Sequence, residues 1–294
     1  MHNRSWLIIP GDSEKKLVRA AATGADVIVV DLERSVEPQR KVLARELARE
    51  WLTIHRTQIV EGRKLGRWVR INSLDSRVWR DDLLAIMPSA PDGIILPRGI
   101  GPVSVQQLAA EIYELEQSNG VPSGSTRIMP LASQTAQAAL TIPAYIEAPL
   151  PRLAGLAWDS DELIRAIGAT RSRDAGGNWT DTFRFIRAQV LLAAHARGVM
   201  AIETQHPDPA DAAGLALAIE TARADGFTGM LAIHPSQVPP INAAFTPSDE
   251  QIAEARAIVA VATGEAAMTP TGIDRRTLDP VSVSHARRLL GVAA

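Results

Sequence analysis

Polar and charged side chains follow several short apolar segments of the chain, at the point where each segment ends. Segment 128–132 runs into a Ser-Gln-Thr sequence that contains Gln134, and segment 154–158 is followed by Asp159 and, one helical turn later, by Glu162. An α/β protein presents reactive groups in this way, with a buried strand, a polar tip and then a helical pattern. These two tips are therefore the first candidates for an active centre.

Acids and arginines predominate among the residues that follow apolar segments of this kind. In chain order they are Asp12, Asp31, Glu33, Arg70, Arg98, Gln134, Asp159 through Glu162, Glu203 and His234. Arginine binds carboxylates and other oxyanions, and oxygen ligands suit hard cations such as Mg²⁺. The set is typical of a site for a carboxylate substrate beside a hard cation. No serine lies in the strand–turn–helix setting of a hydrolase nucleophile, so Ser-His-Asp chemistry is not expected.

The alternation of apolar segments with helical patterns predicts the fold. The apolar segments span residues 5–10, 26–31, 67–71, 93–97, 128–132, 154–158, 199–204 and 229–234. Eight alternations of strand and helix favour a closed parallel (β/α)8 TIM barrel, in which the C-terminal strand ends share one face. An open doubly wound sheet is the alternative, but no GxGxxG motif follows the first segment.

The sequence divides into a barrel, residues 1–264, and a C-terminal arm, residues 265–294. Thr246 is the predicted cap of a helix that ends near Gly264. A polar linker follows, and helical spacing resumes at His285. Because no barrel strand remains for the arm to cover, we expect it to form a lid or a subunit contact.

The composition excludes several classes of protein. A formal net charge of −2 offers no basic surface for nucleic acid or an anionic membrane. Cysteine is absent, which excludes disulfides, thiolate catalysis and zinc held by cysteine. The N-terminal apolar run is too short for a signal peptide, and no uncharged stretch approaches the roughly 20 residues of a membrane span. We therefore expect a soluble cytoplasmic protein with a small-molecule substrate.

Most of the candidate residues also have a purely structural explanation. A capping box at a helix start would account for Asp159 and Glu162 as well as a metal site does. Gln134 could open a helix, Arg98 could be an exposed salt-bridge partner, and His234 could be a hydrogen-bonded histidine at a strand end. Arg70 fits such a role least well, because it directly follows an apolar strand within VRINSLD.

Several sequence blocks, in a fixed order, resemble the citrate lyase beta-subunit-like family. They are RSWLIIPGD, VIVVDLE, VRINSLD, DGIILP, GFTGMLAIHPSQ, NAAFTPS and a closing LD before HARRLL, and they extend from Arg4 to Leu290. The resemblance implies a TIM barrel that binds a CoA thioester and Mg²⁺ and assembles as a homotrimer or homohexamer. It also implies cleavage or formation of a carbon–carbon bond in citryl-, malyl- or citramalyl-CoA.

The resemblance also implies roles for individual residues. Arg70 matches the catalytic arginine that binds substrate oxygens. Asp279 matches an aspartate on the arm that transfers a proton and can reach a neighbouring subunit's site. Further substrate-binding positions of the family are occupied here by Arg4, Pro10, Gly11, Asp12, Glu33, Arg98, Asp159 and His234.

The chain departs from the family at the positions that hold the metal. Gln134 stands where the family has glutamate and Glu162 where it has aspartate, so the resemblance implies an altered, weakened Mg²⁺ site at these two residues. Arg34 and Arg98 stand where the family has aspartate and lysine. If the missing charge at Gln134 is the only defect, Gln134→Glu should tighten Mg²⁺.

Three functions remain open at this point. The leading hypothesis is a carbon–carbon lyase of this family with a shifted substrate preference and an altered metal site. The second is a non-catalytic paralogue that holds CoA esters. The third is an acyl-CoA thioester hydrolase, in which Asp161 or Glu162 would activate water. The sequence does not choose the acyl group.

Overall fold

The computed structural model describes residues 3–60 and 62–291, and parallel strands form its centre. The chain also contains one short antiparallel hairpin, formed by the third and fourth strands. The strands are β1 (Ser5–Pro10), β2 (Val27–Asp31), β3 (Ile59–Val60), β4 (Arg63–Lys64), β5 (Gly66–Arg70), β6 (Gly93–Leu96), β7 (Arg127–Pro130), β8 (Gly155–Ala157), β9 (Met200–Glu203) and β10 (Gly229–Ala232).

The eight parallel strands close into a barrel. They pair in the order β7-β6-β5-β2-β1-β10-β9-β8. Two isolated parallel bridges, from Ile128 to Leu153 and from Leu131 to Ala157, join the ends of this series. The backbone N–H of Ala132 donates to the carbonyl of Ala157 at 2.8 Å across the same seam. The TIM-barrel prediction is confirmed, and the open doubly wound sheet is excluded.

Helices connect the strands and form the arm. Within the described ranges, none of them is long and apolar enough to cross a bilayer. The helices are α1 (Glu14–Ala20), α2 (Lys41–Ile54), α3 (Trp79–Ile86), α4 (Gly101–Ser118), α5 (Ala136–Leu140), α6 (Ser160–Ile167), α7 (Asp181–Arg197), α8 (Ala212–Asp225), α9 (Val238–Phe245), α10 (Asp249–Thr263) and α11 (Pro280–Leu290).

The C-terminal helices begin at other residues than the sequence pattern predicts. Ser248 caps α10, because its hydroxyl accepts from the third backbone N–H of the helix in a reciprocal capping box. The hydroxyl of Thr246, the predicted cap, instead accepts a hydrogen bond from the buried guanidinium of Arg4 and donates to the backbone carbonyl of Asn242. Helix α11 begins at Pro280, well before the predicted start at His285. Asp279 caps it by accepting two backbone N–H bonds, and α11 packs against α10.

The core has two layers, because successive side chains of a strand point to opposite faces. On β2, Val27 and Val29 point into the barrel, whereas Ile28 and Val30 pack against the helices outside. A strand buried on both faces is apolar throughout, which explains the continuous VIVV sequence. The side chains that fill the barrel are Trp6, Val27, Val29, Trp68, Ile95, Met129, Leu131, Ala157, Ile202 and Leu231.

The strand register places the C-terminal strand ends at one level, and we call this face the barrel mouth. Pro10 pairs with Asp31, Asp31 with Arg70, and Arg70 with Ile95. At Gly11, the first residue after β1, a Cβ would lie 2.8 Å from the carbonyl oxygen of Asp31. The turn therefore needs glycine, and the polar residues after β2 and β5 emerge side by side.

Candidate functional site

A buried ion pair between β2 and β5 lies at the barrel mouth. Arg70 donates from Nε and Nη2 to the two carboxylate oxygens of Asp31, each at 2.7 Å. The backbone N–H groups of Glu33 and Ser35 and the Ser35 hydroxyl donate to the same carboxylate. Burial alone would raise the pKa of Asp31, but the charge and hydrogen bonds of Arg70 outweigh burial and lower that pKa to about 2. Asp31 therefore fixes Arg70, whose Nη1 makes no hydrogen bond within the described part of the chain.

Glu33 places a second carboxylate beside this pair. Its Oε2 lies 3.6 Å from Arg70 Nε. This oxygen is buried and has no hydrogen-bond partner among the described residues. Burial raises the pKa of Glu33 and outweighs the opposing charge of Arg70. A buried acceptor without a donor is costly unless a ligand or water supplies one, so Glu33 is a candidate for binding a substrate hydroxyl group.

Gln134 joins the ends of three neighbouring strands. Its Oε1 accepts a hydrogen bond from the backbone N–H of Arg98 at 2.8 Å, and its Nε2 donates to Asp159 Oδ2 at 3.0 Å. Both Gln134 and Asp159 are almost fully buried. An amide offers an acceptor and a donor on one side chain, which a carboxylate does not, so these contacts suit glutamine rather than glutamate at this position. Thr135, and not Gln134, caps α5.

Asp159 caps helix α6 at the end of β8. Its Oδ1 accepts from the backbone N–H groups of Asp161 and Glu162, each at 3.1 Å. Helix capping, the structural alternative to a metal site, therefore accounts for Asp159. It does not account for the side chain of Glu162, whose carboxylate contacts arginines instead.

Three guanidinium groups surround the carboxylate of Glu162. Arg165 Nη2 donates to its Oε1 at 2.8 Å. Arg34 Nε lies 3.6 Å from Oε1, and Arg98 Nη2 lies 3.6 Å from Oε2. The side chain of Glu162 is 14% exposed, whereas those of Arg34 and Arg98 are 38% and 47% exposed. These two guanidinium groups are therefore accessible from solvent at the mouth.

The backbone of Arg98 is in the left-handed region, with φ at 53°. Residues with a side chain adopt this region rarely, at a cost of about 1–2 kcal/mol. The hydrogen bond from its N–H to the buried amide of Gln134 helps to hold this conformation. Gln134 thereby helps to determine where the Arg98 side chain lies.

Lys41, which the sequence reading did not single out, supports the loop after β2. Its Nζ donates to the carbonyls of Leu32 and Glu33, each at 2.6 Å, and to Asn72 Oδ1 at 2.9 Å. The lysine thus ties the loop after β2 to the loop after β5. A cation in the first turn of a helix opposes the helix dipole, and Lys41 begins α2, so a specific partner could have been expected there.

The structure brings most of the predicted site residues to the barrel mouth. In the turn after β1, Gly11 N–H donates to the carbonyl of Asp31 at 2.9 Å, and Asp12 forms an ion pair with Arg40. The predicted residues at the mouth are Pro10, Gly11, Asp12, Glu33, Arg70, Arg98, Gln134, Asp159, Glu162 and His234.

Arg4 and Asp279 do not join this group, whereas His234 lies at the mouth because it follows the C-terminal end of β10. Arg4 precedes β1 and is buried at the opposite end of the barrel, where its Nε lies 2.8 Å from Asp26 Oδ2; this placement does not support the CoA-binding role that the resemblance implies. His234 is exposed after β10, and its Nδ1 accepts from the backbone N–H of Ser236. Asp279 caps α11 and has no contact with the mouth of its own chain among the described residues.

Comparisons with known proteins agree with this fold. The HpcH/HpaI aldolase/citrate lyase family model matches residues 4–235. The citrate lyase subunit beta-like protein of Mycobacterium tuberculosis is 31% identical over 285 residues, which cover 97% of this chain and 93% of the relative. The L-malyl-CoA/beta-methylmalyl-CoA lyase of Cereibacter sphaeroides is 28% identical over 310 residues, covering 97% and 92%.

A solved structure of protein CitE from Mycobacterium tuberculosis, in complex with magnesium, acetoacetate and coenzyme A, superimposes with a TM-score of 0.68 at 31% identity. The match covers 99% of this chain and 97% of that one. The family model and the relatives extend across the strands that carry the mouth residues. This chain therefore belongs to the HpcH/HpaI aldolase/citrate lyase family.

Proposed function

We propose that the protein is a carbon–carbon lyase that acts on the CoA thioester of a 3-hydroxy acid, of the citryl-, malyl- or citramalyl-CoA type. The observation that carries this proposal is Arg70, a buried cation that Asp31 fixes at the barrel mouth and whose Nη1 makes no hydrogen bond to any described residue. The relatives named above are an L-malyl-CoA/beta-methylmalyl-CoA lyase and a citrate lyase subunit beta-like protein, and one solved relative holds magnesium, acetoacetate and coenzyme A.

The proposed reaction needs a proton acceptor and a fixed cation. In the cleavage direction the 3-hydroxyl group loses its proton, the C2–C3 bond breaks, and the electron pair moves onto the thioester carbonyl as an enolate. Protonation at C2 then releases an acyl-CoA, and C3 leaves as the carbonyl of a 2-oxo acid. Arg70 would stabilise the developing negative charge, because a preorganised cation needs no rearrangement during the reaction.

Two carboxylates complete the proposed chemistry. Glu33 would accept a hydrogen bond from the substrate hydroxyl group, since its Oε2 is buried without a partner among the described residues. Asp279 would transfer a proton from the arm of a neighbouring chain, because in its own chain it caps α11. Substrate contacts are also proposed for Pro10, Gly11, Asp12 and Asp159, which lie at the mouth.

The contacts of Gln134 and Glu162 do not fit a magnesium ion. Gln134 Oε1 already accepts from the Arg98 N–H, and its Nε2 already donates to Asp159. The Glu162 carboxylate faces three guanidinium groups, whose charge would repel a dication. Within the described ranges, no three histidine, aspartate or glutamate side chains are grouped as metal ligands. The Mg²⁺ site therefore stays a prediction of the resemblance.

The products formed from malyl-CoA, citramalyl-CoA and citryl-CoA, separated by chromatography, test the proposed function. Acetyl-CoA together with a 2-oxo acid would support the lyase, and Arg70→Lys should abolish most of that turnover. Arg80→Lys, which changes an exposed arginine on α3, is the matched control. Free CoA without acetyl-CoA would instead identify a thioester hydrolase. Thioester binding without turnover would identify a non-catalytic paralogue, and either result contradicts the proposal.

A further inference from the structure

The mouth carries a concentration of positive charge where the relatives' magnesium would be expected. Arg34, Arg98 and Arg165 bring three positive charges to the single negative charge of Glu162. Taken alone, these four side chains carry a net charge of +2, and the carboxylate of Glu33 also lies close enough to interact with Arg98 and Glu162. Arginine stays protonated under all ordinary conditions, so the three positive charges are permanent.

We propose that Arg34 and Arg98 bind the anionic, 2-oxo acid end of the substrate directly, and that this site works without a divalent ion. The identity of the substrate rests on the proposed function, but the binding of a small carboxylate does not. Guanidinium groups suit this role because each can donate two parallel hydrogen bonds to one carboxylate.

The donors of Arg34 and Arg98 are available for a ligand. Both lie 3.6 Å from Glu162, which is beyond hydrogen-bond distance. No hydrogen bond from either side chain is formed within the described part of the chain. Arg165 supplies the short 2.8 Å bond to Glu162. Ion pairs at such exposed positions are worth about 0–1 kcal/mol, so a bound carboxylate can compete for these donors.

Both arginines also belong to segments whose backbone is fixed. Arg34 lies in the loop after β2, where Asp31 accepts two backbone N–H bonds and Lys41 binds two carbonyls. Arg98 is held by the Gln134 amide. The partly buried carboxylate of Glu162 attracts both side chains to one place. The arrangement is therefore organised before a ligand binds, which lowers the entropy cost of binding.

The contacts of Gln134 explain why its departure from the family accompanies the arginines. A carboxylate at this position would accept from Arg98 but could not donate to Asp159. An amide satisfies both contacts and adds no negative charge beside the guanidinium groups. Gln134, Asp159 and Arg98 therefore form one interdependent set.

Calorimetric titration with pyruvate, in excess EDTA and in excess magnesium chloride, tests the inference. We expect the same dissociation constant in both solutions. Arg34→Gln and Arg98→Gln should each weaken pyruvate binding about tenfold or more, which is the loss of one charged hydrogen-bonding group. Arg80→Gln, which removes an exposed guanidinium on α3, should bind pyruvate like the unmodified protein. Thermal unfolding of each variant checks that the fold is retained.

Three results would overturn the inference. They are pyruvate binding only with magnesium, unchanged binding in both mouth variants, and no binding in either solution. The proposed function fails separately. If pyruvate binds in EDTA but no CoA thioester is cleaved, the anion site stands and the lyase does not. If malyl-CoA is cleaved only with magnesium, the lyase stands and the inference fails.

Discussion

Single residues at the barrel mouth are held by charges that are buried and paired. Asp31 is fully buried and Arg70 is 5% exposed. Removing one member of such a pair leaves the other charge unsolvated, which usually costs about 3–5 kcal/mol. Asp31→Asn preserves the shape of the side chain and removes its charge. We therefore expect it to lower the free energy of unfolding by about that amount, measured by urea denaturation.

Two further measurements check the Asp31 prediction. Asp81→Asn is the control, at a carboxylate that is 57% exposed and lies 3.7 Å from Arg45; it should change the free energy of unfolding by less than about 1 kcal/mol. An equal loss of stability in Asp31→Asn and Asp81→Asn would contradict the prediction.

The pKa of Asp31 is lowered in the folded state from 3.8 to about 2. Its stabilising contribution is therefore present above pH 3.8 and is lost as the pH falls through about 2, and this part of the pH dependence should vanish in Asp31→Asn.

Gln134→Glu is the second residue-scale test. The resemblance alone predicts tighter Mg²⁺, but the new carboxylate would lie where Nε2 now donates to Asp159, at 3.0 Å. Two buried carboxylates would then repel each other, and Asp159 would lose a donor. We expect stability to fall by about 1–3 kcal/mol with no gain in Mg²⁺ affinity, measured by thermal unfolding and calorimetry. Tenfold tighter Mg²⁺ with unchanged stability would show that the metal-site assignment is correct.

At the scale of elements, the turns after the strands determine what the mouth presents. The turn after β6 is strained, because Arg98 has φ at 53°. Glycine adopts this conformation freely, so Arg98→Gly should be more stable than Arg98→Ala by about 1 kcal/mol. Both variants should lose anion binding equally, because both lack the guanidinium group. Chemical denaturation and pyruvate titration of the pair measure the two effects, and equal stability would argue against strain.

At the scale of the whole molecule, the arm lies on its own barrel and leaves an apolar residue outside. Helix α11 packs against α10, while the side chain of Val281 is 73% exposed. We propose that the segment 272–294 contacts a neighbouring chain in a homotrimer or homohexamer; residues 292–294 lie outside the described ranges. Such a contact would also let Asp279 approach another subunit's mouth.

Light scattering after size-exclusion chromatography tests this assembly. We expect a trimer or hexamer at micromolar concentration. Val281→Glu should lower the mass, because a charge would be buried at the contact, whereas Val18→Glu on α1, at an equally exposed valine, should not. A monomer for the unmodified protein would contradict the proposal.

The sequence by itself determined the barrel and the candidates at its mouth. Alternating strand and helix patterns are local, and the parallel register brings the strand ends to one face. Arg70 ends β5 and Glu33 follows β2, so the sequence pattern of these two strands is enough to place both residues at that face. The individual departures at Gln134, Glu162, Arg34 and Arg98 could also be read from the sequence, through the family resemblance.

Only the tertiary structure decided what those side chains contact. The partners of Gln134 are 36 residues earlier and 25 residues later in the chain, so no local pattern reveals that both ends of its amide are in use. Arg34 and Glu162 come from opposite halves of the sequence and meet only when the barrel closes. Arg4 resembles a ligand-binding residue in sequence, yet it precedes its strand and is buried with Asp26 at the far end. These contacts depend on which strand ends are neighbours, and the closure of the barrel determines that order.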